Sequence, residues 1–473
     1  MGLAKNSVLY LISTICLKAV GFLLLPIYTH LVSPEEYGYV YVVSAFQTFM
    51  GLFLTLSMHG AISRFYFDCK NLEEIRSMYS QQVTSISISS TVLVAIMLVL
   101  TSPLSSLLAL PVKYYVYAVL ISYFSIFYNM IIALLYAMEQ ALKISVTSIC
   151  VGVVTIVVQL TLVLTMEDKA LGLISAMLIN AVLTFVIFLI YSYPYFIIPK
   201  FKKYDMVKYF KYSISQLPSD VSVWFVSASD RILLNRMQGA YSTGVYGMGN
   251  TLGHVPSMLF QSVNKAYVPY VFRHYKEAED GSQASMKELA ETTTKVESVI
   301  TCLVVCLIII SNNIVELLEA RYIDSAIIMP LILFAIWIDC NRIIFMNPLA
   351  YNVKYIKVKS FIWVFAAILD VGMNFYLIPR YSMWGACASL IISYGVSCLL
   401  ILYFSNKAMK IIYDKQRIAQ VLLISALFST TYFLGSGLVS FLWKLPLIAI
   451  YLYIVLRINN MQGIILNYLH KHV

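Results

Sequence analysis

Charge is what this sequence has least of. Only 12% of its 473 residues are Asp, Glu, Lys or Arg, against about 25% in an average soluble domain. With 60% hydrophobic residues and a mean hydropathy of +0.81, that scarcity excludes a soluble globular chain. Long polar stretches are missing as well, so no loop is long enough to hold a separate soluble domain. The eight cysteines include no CxxC pair. Cys302 and Cys306 share a helix face without a His or further Cys nearby, which points to packing rather than metal ligation. No P-loop, HExxH or Ser-His-Asp arrangement is present, so no ATPase, no enzyme activity, no metal and no cofactor are expected.

What is there is a series of apolar runs of about 20 residues, each able to cross a hydrocarbon core of about 30 Å. Fourteen spans are expected, at 7–29, 37–61, 84–109, 114–137, 144–165, 170–192, 213–235, 244–268, 296–317, 325–349, 359–379, 383–404, 418–439 and 443–458. The first continues through Pro26 without a small-residue cleavage site and reads as a retained span rather than a signal peptide. Ser33-Pro34-Glu35-Glu36 reads as a capping box with proline at the first helical position. The net charge of +10 does not point to nucleic acid. With alternate loops assigned to opposite sides, 25 of the 33 basic residues fall on one side or at the termini. The positive-inside rule then makes both termini cytoplasmic.

Two offsets hint at duplication. Gly38-Tyr39-Val40-Tyr41 opens the second span and Gly244-Val245-Tyr246-Gly247 the eighth. Ala170-Leu171-Gly172 opens the sixth and Trp384-Gly385-Ala386 the twelfth. Six spans per half keep both halves in one orientation, which describes parallel repeats. The fold class is therefore an all-α polytopic membrane protein of about fourteen helices, with two parallel six-helix repeats and two further C-terminal helices. The expected divisions are 1–200, 201–410 and 411–473.

The stretch Gln216–Gly249 carries two aspartates and two arginines inside apolar sequence. Gln216, Asp220, Trp224, Ser227 and Arg231 share one helix face. Ionisable groups in a span normally face protein or water, so this face is expected to line something wet.

The motifs together resemble a known family. Leu25-Pro26-Ile27-Tyr28 with Leu31-Val32-Ser33-Pro34-Glu35-Glu36-Tyr37-Gly38 looks like the first-span signature of the polysaccharide biosynthesis exporters. Ala61-Ile62-Ser63-Arg64-Phe65-Tyr66, Leu217-Pro218 leading to Ser229-Asp230-Arg231, and Asn374 to Pro379 with Trp384-Gly385-Ala386 follow in the family's order. The chain thus resembles the O-antigen (Wzx-type) flippases, relatives of the MATE exporters and lipid II flippases. The resemblance implies a bacterial inner-membrane flippase for an oligosaccharide on undecaprenyl diphosphate. It implies one half rocking against the other, membrane lipids as surroundings, and a polysaccharide polymerase and chain-length regulator as partners. Energy then comes from an ion gradient or from consumption of the flipped lipid. A MATE-type drug exporter is the alternative within transport; a membrane glycosyltransferase or polymerase needs larger outer loops.

Within that reading the substrate-contact candidates are Lys18, Arg64, Asp220, Trp224, Arg231 and Arg342. Lys18, near the middle of the first span, is either a cationic post for diphosphate or acidic sugar, or half of an internal ion pair with Asp220. Arg64 is either a diphosphate receiver or an interface anchor. Asp220, behind Pro218, and Asp370, which shares a face with Asn374, are the coupling-ion candidates. Asp230-Arg231 reads as a clamp at the outer end. Asp339 and Arg342 are spaced to pair. His59 and His254 read as packed or interfacial histidines.

Overall fold

The computed structural model describes residues 19–201, 203–280, 282–409 and 414–459. All regular structure among the described residues is helical. In chain order the α-helices are α1 (Leu25–Leu31), α2 (Pro34–Thr55), α3 (Met58–Phe65), α4 (Leu72–Val99), α5 (Thr101–Leu107), α6 (Val112–Ala137), α7 (Ala141–Thr165), α8 (Lys169–Ser192) and α9 (Lys203–Gln238). They continue with α10 (Ala240–Gly253), α11 (Val255–Glu279), α12 (Gln283–Glu316), α13 (Ser325–Phe345), α14 (Asn347–Tyr351), α15 (Ile356–Ala408), α16 (Lys415–Ser429) and α17 (Leu438–Ile458). Among the described residues, ten helical segments are long and apolar enough to cross a membrane, by length and composition. One of these holds two expected spans. α15 is 53 residues long and is broken at Ser382, whose φ of 51° and ψ of −131° leave the helical region just after Pro379. The polytopic all-α architecture is therefore as expected, while most of the first span lies outside the described residues.

Local chemistry sets the helix ends. Ser33 accepts the Glu36 amide at 3.3 Å and Glu36 returns the contact to the Ser33 amide at 2.8 Å. That is the capping box that starts α2. Asn71 caps α4 and Asp168 caps α8 in the same one-sided way. The break at Leu56 and Ser57 is different. Both residues are left-handed, at φ 48° and 55°, a conformation that costs roughly 1–2 kcal/mol for an L-residue.

The chain divides into two compact units, 1–244 and 245–473. In the first, α6 lies at the centre and packs on α2, α3, α4 and α8. Phe127 and Phe185 meet edge-on at 5.2 Å between α6 and α8, within an apolar core that runs from Val42 to Tyr209. In the second, α13 is central and packs on α12 and both arms of α15. Ile328, Ile332 and Ile336 form its fully buried stripe. The hairpins at Gly172 and Gly385 close in the same way. A Cβ on Gly172 would meet the Leu162 carbonyl at 3.1 Å, and one on Gly385 the Leu377 carbonyl at 2.4 Å.

Asp168 joins several of these elements. Its carboxylate accepts from Leu171 N and from the Tyr114 hydroxyl, both at 2.9 Å, and pairs with Lys113. Burial raises its pKa, but the Lys113, Leu171 and Tyr114 hydrogen bonds together hold it below the ordinary value. A depressed carboxylate contributes stability above its unfolded pKa, about 3.9, and that contribution is lost as pH falls through the folded value. Asp168→Asn is accordingly expected to lower the melting temperature at pH 7. The gap from wild type should close as melting is followed down through pH 4. A gap that stays constant with pH would contradict this assignment.

Candidate functional site

The polar stripe of α9 divides between contacts. Pro218 is accommodated within one continuous 36-residue helix. Gln216 and Ser227 are exposed. Trp224 is 7% exposed, turned into α2, where its indole N–H donates to Ala45 O at 3.1 Å and to the Thr48 hydroxyl at 3.0 Å. Phe49 packs on the same ring at 4.3 Å. Asp220 is half-buried and accepts from the Ser57 hydroxyl at 2.7 Å. That bond fastens α9 to the strained break between α2 and α3. Arg231 sits over Tyr41, 5.8 Å from its ring centre. Asp230 is buried and accepts the Arg231 amide at 2.7 Å. One turn on, Asn235 and Arg236 donate to the carbonyls of Leu108, Ala109 and Ser106. These contacts tie the end of α9 to the end of α5 and the α5–α6 connection.

The α2–α3 break also forms part of a cavity wall. Thr55 ends α2, His59 stands in the first turn of α3, and both line a cavity of about 620 Å³ in the first unit. Gln47 and Thr48 of α2 continue the wall, joined by Asn129 of α6, Thr155 of α7 and Asn180 of α8. Thr155 donates to the Asn180 side-chain oxygen at 2.9 Å. Gln47 and Asn129 make no side-chain hydrogen bond among the described residues, which leaves their amides to the cavity. Among the described residues the wall contains no Asp, Glu, Lys or Arg. Sequence reasoning did not select these residues. A signal existed, because Gln47, Asn129 and Asn180 are the lone amides of α2, α6 and α8. A lone amide is costly in lipid unless it faces protein or water.

Arg64, Arg342 and Asp370 lie away from this cavity. Lys18 lies outside the described residues. Arg64 pairs with Asp68 at 2.9 Å, and Lys208 of α9 reaches the same carboxylate at 2.9 Å while lying over Phe65. The Lys208 and Arg64 hydrogen bonds hold the Asp68 carboxyl below the usual range. In the second unit Arg342 is buried, paired with Asp339 and enclosed by Trp363 and Tyr394. Asp370 is buried and accepts from the Asn374 amide at 3.0 Å. The stripe residues and the cavity residues thus meet at the α2–α3 break, and Arg342 and Asp370 belong to the other unit.

Known proteins share parts of this sequence and most of this architecture. A Haemophilus influenzae protein described as Lsg locus putative protein 1 is 27% identical over 290 residues, 59% of this chain and 68% of that one. An uncharacterized membrane protein of Haemophilus influenzae is 25% identical over 296 residues, 59% and 67% of the two chains. Among solved structures, the lipid II flippase MurJ in an inward closed conformation superposes with a TM-score of 0.74 at 14% identity, covering 95% of this chain and 99% of that one. An inward-facing MATE transporter of the MOP superfamily gives 0.64 at 13% identity, covering 86% and 95%. At such identities the likeness is one of fold. The family described as polysaccharide biosynthesis protein matches residues 3–274, more than half of the sequence, and the chain belongs to that family.

Proposed function

We propose that this protein carries a polyprenyl-diphosphate-linked oligosaccharide from the cytoplasmic to the outer leaflet of a bacterial inner membrane by alternating access. The observation that carries this reading is the first-unit cavity. Its volume of about 620 Å³ falls in the range of roughly 300–1,000 Å³ usual for ligand pockets. Its polar wall is made of hydroxyls, amides and one imidazole. Sugar hydroxyls both donate and accept, and amide and hydroxyl side chains match both roles. A pump for cationic drugs is better served by carboxylates, and the described residues of the wall include none. The polysaccharide biosynthesis family and the lipid-flippase fold agree with a lipid-linked glycan. In this reading Lys18 and Arg64 serve the diphosphate. Asp220 and Asp370 serve coupling, both termini are cytoplasmic, and a polymerase and chain-length regulator act next.

The test is translocation of a lipid-linked oligosaccharide in proteoliposomes. Loss of one or two hydrogen bonds of about 1 kcal/mol each predicts a five- to thirtyfold slower rate, by the usual factor of ten per 1.4 kcal/mol. Gln47→Leu with Asn129→Leu should show that loss while melting stays within a few degrees of wild type. Wild-type rates in the double variant would remove the cavity from the transport path. Drug-cation export without glycan translocation would favour the MATE-type alternative.

A further inference from the structure

Glycine inside a helix is less favourable than alanine, and in a packed helix it belongs where a Cβ would be obstructed. α2 and α3 hold Gly38, Gly51 and Gly60. A Cβ on Gly38 would strike the Ala240 backbone, and one on Gly60 would come within 3.2 Å of the Gln216 side chain. Packing explains both. It does not explain Gly51, where a Cβ meets nothing within 4 Å. Gly51 stands instead in the wall of the first-unit cavity. Gly21 lines the same cavity, and its Cβ position is equally open.

The neighbours of Gly51 give this open space a chemistry. Gln47 and Thr55 lie one turn to either side of it on the same face, about 6 Å along the helix axis in each direction. Both line the cavity. The Gln47 amide can donate and accept there. Thr55 gives its hydrogen to the Gly51 carbonyl at 2.7 Å, so its oxygen is left as an acceptor. Between these two polar groups the surface is the bare α-carbon of Gly51, with Leu52 beside it. α2 and α7 both pack on α8, and α7 brings Val151 and Ile156 to the same cavity as further apolar surface.

A pyranose has the complementary pattern. Its faces carry C–H groups, and its edge carries hydroxyl or acylamino substituents. A face can lie against bare backbone only where no side chain stands. The edge groups then reach an amide at one end and a hydroxyl oxygen at the other. An acyl chain in the same place would leave the Gln47 amide unmatched, which is unfavourable away from water.

We propose that Gly51 is the size-determining residue of this cavity, the platform on which one sugar ring of the cargo lies, with Gln47 and Thr55 holding its edge. The inference rests on the glycan-flipping reading and names the residue that sets how bulky a ring the site admits. A side chain at position 51 occupies the ring's place.

The test compares Gly51→Ala and Gly51→Leu with wild type in the full-length protein. Alanine and leucine are both good helix formers, so the two replacements stiffen α2 alike and differ in how much of the cavity they fill. Both should melt at or above the wild-type temperature in detergent, because the space is open. In proteoliposomes carrying a polyprenyl-diphosphate-linked oligosaccharide, Gly51→Ala should be slowed by at most about threefold and Gly51→Leu by about ten- to hundredfold, the range for overpacking a close contact. The half-saturating cargo concentration should rise in the same order. If wild type moves the glycan and Gly51→Leu keeps its rate, no ring lies on Gly51, and the platform falls while the glycan-flipping reading stands. Equal slowing by alanine and leucine also overturns it, since α2 would then need flexibility rather than room. So does a lowered melting temperature in Gly51→Leu, which would mean that protein already fills the space. A wild type that moves no glycan removes the reading and the platform together.

Discussion

Gly244→Ala is expected to remove most of the folded protein from the membrane. The cause is steric. A Cβ on Gly244 would stand 1.7 Å from the Pro34 carbonyl oxygen, and one on Gly38 would stand 1.9 Å from the Ala240 carbonyl oxygen. In both cases the obstacle is backbone, so no side chain can turn aside. The first turns of α2 and α10 cross here at a separation only glycine allows. Pro34 is held by the capping box of α2, and Gly239, at φ 87°, fixes the start of α10. Moving either helix outward disturbs those ends as well. Overpacking by a methyl group in an adjustable core costs about 1–3 kcal/mol, and this contact cannot adjust. Gly395→Ala is the control, since a Cβ there meets nothing within 4 Å; in a helix interior it is expected to be neutral or stabilising by up to about 1 kcal/mol. Membrane abundance and melting in detergent measure both. If Gly244→Ala accumulates and melts like wild type, α2 and α10 do not cross at this distance.

That contact also shows how far the sequence could be read. Gly38 and Gly244 stood out in the sequence as the expected openings of the second and eighth spans. Spacing could not reveal that the two turns touch. The same limit applies to α9. Periodicity placed Gln216, Asp220, Trp224, Ser227 and Arg231 on one face, and they do share it. What a face meets is decided by other helices. Phe49 and Ala45 of α2 draw Trp224 inward, and the break at Leu56–Ser57 brings a hydroxyl to Asp220. Helix positions and the Ser33 cap of α2 were legible because apolar runs and capping residues act locally. Gln47, Asn129 and Asn180 come together only through packing of three helices.

Arg342 gives the second large effect. Its side chain is 2% exposed and its partner Asp339 is 13% exposed. Nε donates to Asp339 Oδ1 at 3.0 Å, and Nη2 reaches the same oxygen. The guanidinium lies 3.9 Å from the Trp363 ring centre and 4.7 Å from that of Tyr394. All three aromatic and hydroxyl contacts, Ser397 included, come from α15. The pair therefore holds α13 to both arms of the broken helix. Arg342→Met leaves the Asp339 carboxylate enclosed without its cation, and loss of one partner from a buried pair costs about 3–5 kcal/mol. Asp339→Asn leaves the cation and should cost a similar amount. Arg342→Lys keeps the charge but loses the planar stack and the fork, so it should fall between wild type and Arg342→Met. The double variant Arg342→Met with Asp339→Asn removes both charges, and its melting temperature should return most of the way to wild type. Transport by that double variant then separates packing from substrate contact. Restored melting with restored glycan translocation assigns Arg342 to holding α13 on α15, while restored melting without translocation assigns its charge to the cargo. A double variant that melts as low as Arg342→Met would show that the two residues do not act as a pair.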